Sequence, residues 1–215
     1  LIREANINLQ QRQPASALIS LEKAENIVNH INAKDSIGNE FEYQSFSENA
    51  EEKILYLRGE AYNIAGNFEQ AKYVYRNFFE KYQESPMLLY AKLGMGWALL
   101  NLNEYSEAIV NYDQIIETED DKEYRVKAIA QLYRAVALKR SGNREQARKE
   151  LSALSLQPAY PFSALVLLEL GQIYYEAGEF EQCRKTLERA ERESNDAAIS
   201  VRINLLLGAA LLEMK

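Results

Sequence analysis

The strongest constraint in this sequence is one small-residue position that recurs at nearly constant spacing. The position is held by Gly59, Gly96, Ala135, Gly171 and Gly208, at successive steps of 37, 39, 36 and 37 residues. A period between about 20 and 50 residues is typical of stacked supersecondary units. The sequence therefore predicts an array of similar units, each packed on its neighbours.

Each unit repeats further positions relative to that small residue. Seven residues later stands a residue that tolerates positive φ and is suited to ending a helix: Gly66, Asn103, Gly142 and Gly178. A second small residue follows: Ala71, Ala108, Ala147 and Cys183. Four residues after it comes a large one: Tyr75, Tyr112, Leu151 and Leu187. The pattern predicts a helix, a tight turn and a second helix, with small residues where the two helices approach.

Each helix carries an apolar stripe at i, i+3, i+4 and i+7 spacing, and a single hairpin cannot bury both of its stripes. The prediction is therefore an all-α, right-handed superhelical solenoid of antiparallel helix pairs, without a β-sheet. Residues 51–215 are predicted to form four hairpins and a C-terminal half repeat in one continuous solenoid.

The first 50 residues follow the pattern less closely. Residues 1–30 are predicted to form a degenerate hairpin, with Ala5 in the small position of its first helix and Ala17 and Leu21 in its second helix. Residues 31–50 are polar and lack the pattern, so they are predicted to form an insertion or a flexible loop.

These residues resemble the tetratricopeptide repeat, whose signature is W-x₂-L-G-x₂-Y, then A-x₃-F, then P. Leu167, Leu170, Gly171 and Tyr174 follow the first part, with Leu in the Trp position. The third unit departs most, with Ala135 in place of Gly. The resemblance implies a helical solenoid that recognises another protein or peptide through a concave face lined by first helices.

A narrower resemblance concerns one repeat. The run from Ala61 to Pro86 is similar to repeats of bacterial envelope tetratricopeptide proteins, such as outer-membrane assembly lipoproteins and the Tol–Pal-associated coordinator. The chain begins at Leu1 without a signal peptide, which is what removal of an export signal would leave. We therefore expect a periplasmic or envelope location, with the cytoplasm as the alternative. No window reaches 18 apolar residues, so no membrane span is predicted.

Composition excludes several other classes of protein. The chain has 25 Lys and Arg against 32 Asp and Glu, a net charge of −7, which argues against a nucleic-acid partner. One cysteine (Cys183) and one histidine (His30) exclude an intrachain disulfide and a cysteine-based metal cage. The acidic run from Glu117 to Glu123 is expected to be a solvated surface rather than an ion site.

Neither a glycine-rich phosphate loop nor a G-x-S-x-G or H-E-x-x-H motif is present. We therefore predict no enzyme, cofactor or metal. A catalytic or small-molecule function in residues 31–50 has no residue to support it.

The candidate binding site is the stripe that lies one residue beyond the packing positions of the first helices. We predict a partner-binding groove lined by Leu93, Trp97, Leu100, Leu132, Val136, Lys139, Gln172 and Tyr175. A solvent-facing stripe should be mostly polar, and this one is mostly apolar. It fits an apolar groove for a partner helix or extended segment, but packing between adjacent first helices explains the same pattern.

Chaperone-binding members of the resembling family hold a terminal carboxylate with Lys and Asn on successive first helices. The matching positions here are Tyr56 and Glu60 in the first clear unit, and Ile129 and Tyr133 in the third. Glu60 would repel a carboxylate, so that clamp is absent.

The alternative function is self-association. The last helix, Val201–Met214, carries leucines that no second helix of the sequence covers. A solenoid end normally carries a polar cap. The alternative function is therefore that of a structural subunit that forms a homodimer through this helix.

Overall fold

Every regular element that the structure describes is an α-helix. The computed structural model describes residues 1–34, 40–119 and 123–215, and it confirms the all-α prediction. Its contacts divide the chain into two compact units, Leu1–Glu104 and Tyr105–Lys215. The boundary lies inside the stretch 51–215, and the sequence did not predict it.

The described part of the N-terminal unit consists of helices, each packed against its neighbour in sequence. They are α1 (Ile2–Gln10), α2 (Pro14–Lys34), α3 (Glu40–Ile64), α4 (Phe68–Lys81) and α5 (Leu88–Asn101). Ala5, Leu21 and Ile54 are among the buried residues that join α1, α2 and α3. Arg58 of α3 also donates hydrogen bonds to both carboxylate oxygens of Glu25 on α2, at 3.2 and 2.7 Å.

The prediction of a loop at residues 31–50 is wrong where the structure describes this stretch. Helix α2 continues to Lys34, and α3 begins at Glu40; residues 35–39 lie outside the described residues. Extending an existing helix is much easier than nucleating one. Helix α3 is anchored from Ala50 onwards by buried residues such as Ala50 and Ile54. It can therefore extend backwards through residues that lack an apolar pattern but contain no Gly or Pro.

The predicted turn residues are confirmed. All four adopt positive φ: Gly66 at 76°, Asn103 at 63°, Gly142 at 93° and Gly178 at 74°. In each turn the residue after the positive-φ residue donates a hydrogen bond from its backbone N–H to the carbonyl five residues before it. Asn67, for example, donates to the carbonyl of Tyr62 at 2.9 Å. This closure satisfies carbonyls that the helix end would otherwise leave unpaired.

The recurring glycine allows close approach between the two helices of a hairpin. A Cβ at Gly59 would lie 2.6 Å from the ring of Tyr75, and a Cβ at Gly171 would lie 2.6 Å from the Leu187 side chain. Tyr75 and Leu187 are fully buried. The small position of the first helix thus meets the large position of the second helix in both hairpins, whereas the sequence pattern predicted small residues on both sides of the approach.

The C-terminal unit follows the same plan. Its described helices are α6 (Tyr105–Ile116), α7 (Tyr124–Arg140), α8 (Arg144–Ser155), α9 (Ser163–Glu176), α10 (Phe180–Glu193) and α11 (Ala197–Glu213). Leu168 of α9, Leu187 of α10 and Ile203 of α11 share one buried cluster. Helix α11 therefore packs on the α9/α10 hairpin as a further first helix.

Candidate functional site

The residues of the predicted groove fall into two groups. Leu93, Trp97 and Leu100 lie on α5 in the N-terminal unit, and the remainder lie on α7 and α9 in the C-terminal unit. Leu100, Leu132 and Val136 are buried, with 0, 1 and 4% of their surface exposed. These three contribute to helix packing. The half-buried members are Leu93, Trp97, Lys139, Gln172 and Tyr175.

Trp97 occupies the position directly after the recurring glycine of α5. Its side chain is half-buried. Its carbonyl accepts a hydrogen bond from Asn101 Nδ2 at 2.8 Å, one turn later on the same helix. This bond involves the backbone of Trp97, and the half-buried side chain presents part of its surface.

A polar cluster lies on the neighbouring first helix of the same unit. Tyr75 of α4 donates a hydrogen bond from its hydroxyl to Glu60 Oε1 of α3 at 2.5 Å. Asn63, one turn after Glu60, donates from Nδ2 to the carbonyl of Gly94 on α5 at 2.8 Å and to the Tyr75 hydroxyl at 3.4 Å. The cluster thus joins three consecutive helices.

Gly94 makes this arrangement possible. A Cβ at position 94 would lie 2.5 Å from Cζ of Tyr75 and 2.8 Å from Oε1 of Glu60. Real Cβ atoms do not come so close to other heavy atoms, so any larger residue would displace the cluster. Gly94 is one of two glycines outside the repeating register, and the cluster explains why glycine stands there.

Burial dominates the electrostatics of the cluster. It raises the pKa of the Glu60 carboxyl, and the hydrogen bond from Tyr75 offsets part of that rise. Burial, followed by the charge of Glu60, also raises the pKa values of the Tyr56 and Tyr75 hydroxyls. Both tyrosines are therefore neutral donors at physiological pH.

In the C-terminal unit, the polar members of the predicted groove are already engaged. Lys139 of α7 forms an ion pair with Glu169 of α9 and donates to Gln172 Oε1 at 2.6 Å. Arg202 of α11 lies 3.5 Å from the other oxygen of Glu169. This surface is held together by charges, whereas the sequence predicted a groove that binds through apolar side chains.

Tyr112 of α6 occupies the same repeat position as Tyr75 but has different surroundings. Its ring stacks on Tyr133 of α7 with centroids 6.4 Å apart. Among the described residues, its buried hydroxyl has no hydrogen-bond partner. Burial raises the pKa of this hydroxyl strongly.

The other residues singled out in the sequence form no site. Cys183 is fully buried, and burial raises the pKa of its thiol, so it is a packing residue. Glu117 and Glu119 are exposed; Asp120 and Asp121 lie outside the described residues. Across the described ranges, no group of His, Cys, Asp and Glu could hold a metal ion. None of the helices in these ranges has the length and apolarity needed to cross a bilayer.

Sequence reasoning identified Glu60 as unsuited to a carboxylate but missed its partners. Tyr75 was assigned to an apolar packing position, and nothing in the repeat pattern indicates that its hydroxyl reaches Glu60. Two signals were present: Gly94 outside the register, and Glu60 and Asn63 as polar residues at the start of a mostly apolar stripe.

Comparison with solved structures gives the same fold. The apo form of the quorum sensor NprR from B. thuringiensis matches with a TM-score of 0.77 and 13% identity, over 99% of this chain and 58% of that chain. BtubC from P. vanneervenii matches with a TM-score of 0.65 and 20% identity, over 95% and 84%. A tetratricopeptide repeat protein from Parabacteroides merdae matches with a TM-score of 0.56 and 19% identity, over 98% and 82%.

This chain therefore spans little more than half the length of NprR. None of the curated proteins compared with this chain matches it. A family model of the tetratricopeptide repeat matches residues 54–85, 90–121 and 165–193. The α7/α8 hairpin, which departs most from the signature, lies outside the matched ranges. The repeating register, the turn geometry and these matches together show that the chain contains tetratricopeptide repeats.

Proposed function

We propose that this protein is a non-catalytic scaffold that binds a segment of another protein along the first helices of its hairpins. The observation that carries the proposal is Trp97, a half-buried aromatic side chain on the first helix of a matched repeat. Leu93, also half-buried, precedes it by one helical turn. Tetratricopeptide repeats act as interaction modules, and the resemblance implies that their first helices line the binding face.

Trp97 has the properties of a binding anchor. A large aromatic side chain that is already half-buried loses less conformational entropy than a fully exposed one when a partner covers the rest of it. Trp is among the residues that contribute most at protein interfaces. With Leu93 beside it, the surface fits an apolar side chain from a partner helix or extended segment.

The test measures how strongly a bound peptide depends on Trp97. Peptides are selected from a displayed random library on the wild-type protein, and their affinities are measured by fluorescence polarisation. Truncating a central Trp anchor costs about 2 kcal/mol or more, which is about thirtyfold in affinity. We expect Trp97→Ala to weaken binding by at least about this factor while the helical circular dichroism stays native.

Tyr73→Ala is the matched control, because Tyr73 is an aromatic residue of the second helix α4 with 64% of its surface exposed. Its replacement should change the affinity less than about twofold. If Trp97→Ala and Tyr175→Ala both leave the affinity unchanged, the first-helix face is not the binding site.

A second candidate function, homodimer formation, is favoured by the surface of α11. Val201, Leu205 and Leu212 are 58, 70 and 68% exposed, and a Cβ at Gly208 would meet nothing within 4 Å. Their spacing of four, three and four residues gives the stripe of a helix–helix seam.

The charges beside this seam suit a second copy of α11. Arg202 and Glu213 are eleven residues apart, about three helical turns, so they lie on the same flank. In an antiparallel pair related by a two-fold axis, each Arg202 would face the Glu213 of the other copy. Both residues are exposed.

Light scattering coupled to size-exclusion chromatography tests this second candidate. We expect a dimer mass for the wild type, a monomer for Leu205→Glu, and a dimer for the control Leu156→Glu, which changes a leucine that is 79% exposed on another helix end. A wild-type monomer at high concentration would eliminate the dimer.

A further inference from the structure

The polar cluster of α3, α4 and α5 contains hydrogen-bonding groups that the protein itself does not satisfy. Glu60 receives a hydrogen bond from Tyr75. In the described part of the chain, neither a lysine nor an arginine forms an ion pair with it. The Oδ1 atom of Asn63 is buried and has no hydrogen-bond partner.

Two other acidic groups of the same unit are paired with a cation. Glu25 binds Arg58, and Glu104 binds Lys72. A partly buried carboxylate without a cation loses hydration and gains little in return. Glu60 thus differs from Glu25 and Glu104 in lacking a cation among the described residues, and an unpaired buried charge is typical of a functional position rather than of a stabilising one.

The unpaired Glu60 carboxylate and the unsatisfied Asn63 Oδ1 define the chemistry of a ligand. Both are acceptors, and one carries a negative charge, so a group that satisfies them must offer several N–H donors and a positive charge. Ammonium and guanidinium groups meet both conditions. A carboxylate or a phosphate meets neither.

The position of Glu60 relates it to the proposed binding surface. Glu60 on α3 and Trp97 on α5 both stand directly after the recurring glycine of their helices, within one compact unit. A segment that places an apolar side chain on Trp97 therefore passes the equivalent position of the preceding first helix.

We propose that Glu60 and Asn63 form a receptor for a positively charged group, an ammonium or a guanidinium, of the bound partner segment. The inference rests on the proposed function, since that segment supplies the cation. The proposed receptor would make binding specific for partner segments that carry a basic group close to their apolar anchor.

A purely structural role for Glu60 makes a different prediction. If Glu60 serves to hold the Tyr75 hydroxyl, glutamine can replace it, because the glutamine carbonyl accepts the same hydrogen bond. Glu60→Gln keeps the acceptor and removes the charge. The variant therefore separates cation binding from the positioning of Tyr75.

The experiment titrates the ¹⁵N-labelled protein with small probes and follows the Asn63 side-chain amide by nuclear magnetic resonance. The cationic probes are n-butylguanidinium, n-butylammonium and alaninamide, which represent Arg, Lys and a chain amino terminus; n-butylurea is the neutral control. We expect saturable shifts with a dissociation constant of about 1–10 mM for at least one cation. The tightest probe identifies the source of the charge.

The variants then test the assignment. Glu60→Gln should raise the dissociation constant at least about tenfold. Glu69→Gln, a change at an exposed acidic residue of α4, should leave it unchanged. Equal binding of n-butylurea, no saturable shift with any cation, or unchanged binding by Glu60→Gln would overturn the proposal.

Because the probes contain no apolar anchor segment, this outcome is independent of the Trp97→Ala measurement. If the cationic probes do not bind but peptide binding still depends on Trp97, the cation receptor is wrong and the proposed scaffold function stands.

Discussion

Tyr75 and Tyr112 hold the same position in two consecutive tetratricopeptide hairpins, and both are fully buried. The Tyr75 hydroxyl exchanges hydrogen bonds with Glu60 and Asn63, whereas the Tyr112 hydroxyl has no partner and its ring stacks on Tyr133. A repeat position thus determines where a side chain is placed, and its neighbours determine what the side chain does there.

The two repeats differ in sequence at register positions of their first helices. Where one repeat has Glu60 and Asn63, the next repeat has Trp97 and Leu100. Gly94 likewise corresponds to Tyr133 in the following repeat. The polar cluster is therefore particular to one repeat, while the buried aromatic ring is common to both.

The largest expected effect comes from filling the space at Gly94. We expect Gly94→Ala to lower the free energy of unfolding by about 2 kcal/mol or more, because the new Cβ would overlap the Tyr75 ring and crowd Glu60. Urea unfolding followed by circular dichroism measures this.

Gly208→Ala is the control for that measurement, because its Cβ has open space. Alanine is the better helix former, so the control should be neutral or gain up to about 1 kcal/mol. Equal effects of the two substitutions would show that close packing at Gly94 is unimportant.

A smaller effect separates the two tyrosines. Tyr75→Phe leaves the Glu60 carboxylate without its donor and should cost about 1–2 kcal/mol. Tyr112→Phe removes a buried hydroxyl that has no partner, so it should be neutral or stabilising by up to about 1 kcal/mol. Urea unfolding of both variants measures the difference, and a greater loss at Tyr112 would contradict the hydrogen-bond assignment.

The smallest effect is a dependence on pH. Because burial raises the pKa of Glu60, the folded protein binds this proton more tightly than the unfolded chain does. The wild type should therefore lose stability relative to Glu60→Gln as pH rises from 4 to 8. The other groups of the cluster, Tyr56 and Tyr75, have raised pKa values and stay neutral over this range.

Thermal unfolding of the wild type and Glu60→Gln at matched pH values measures that difference. A difference that does not change with pH, or that favours the wild type at high pH, would contradict the burial of an unpaired carboxylate.

The packing of the hairpins could be predicted because one residue type dominates each repeated position. Ala71, Ala147 and Cys183 are fully buried where the register places them. The start of α3 could not be predicted, since its helicity is propagated from residues that pack further along the chain.

The candidate site was less accessible to sequence reasoning. The first helix α5 packs on both α3 and α4 and is apolar nearly all round. The apolar stripe therefore could not separate the buried Leu100 and Val136 from the half-buried Trp97. Likewise, the sequence shows Glu60 as a charge but cannot show that Tyr75 and Gly94 enclose it.

The central claim is that the partner lies along the first-helix face. The most direct test places the photo-crosslinking amino acid p-benzoylphenylalanine at Leu93 of α5 or at Tyr73 of α4, with a library-selected peptide bound. We expect a crosslink from position 93 that excess unlabelled peptide abolishes, and none from position 73. A crosslink from position 73 without one from position 93 would contradict the account.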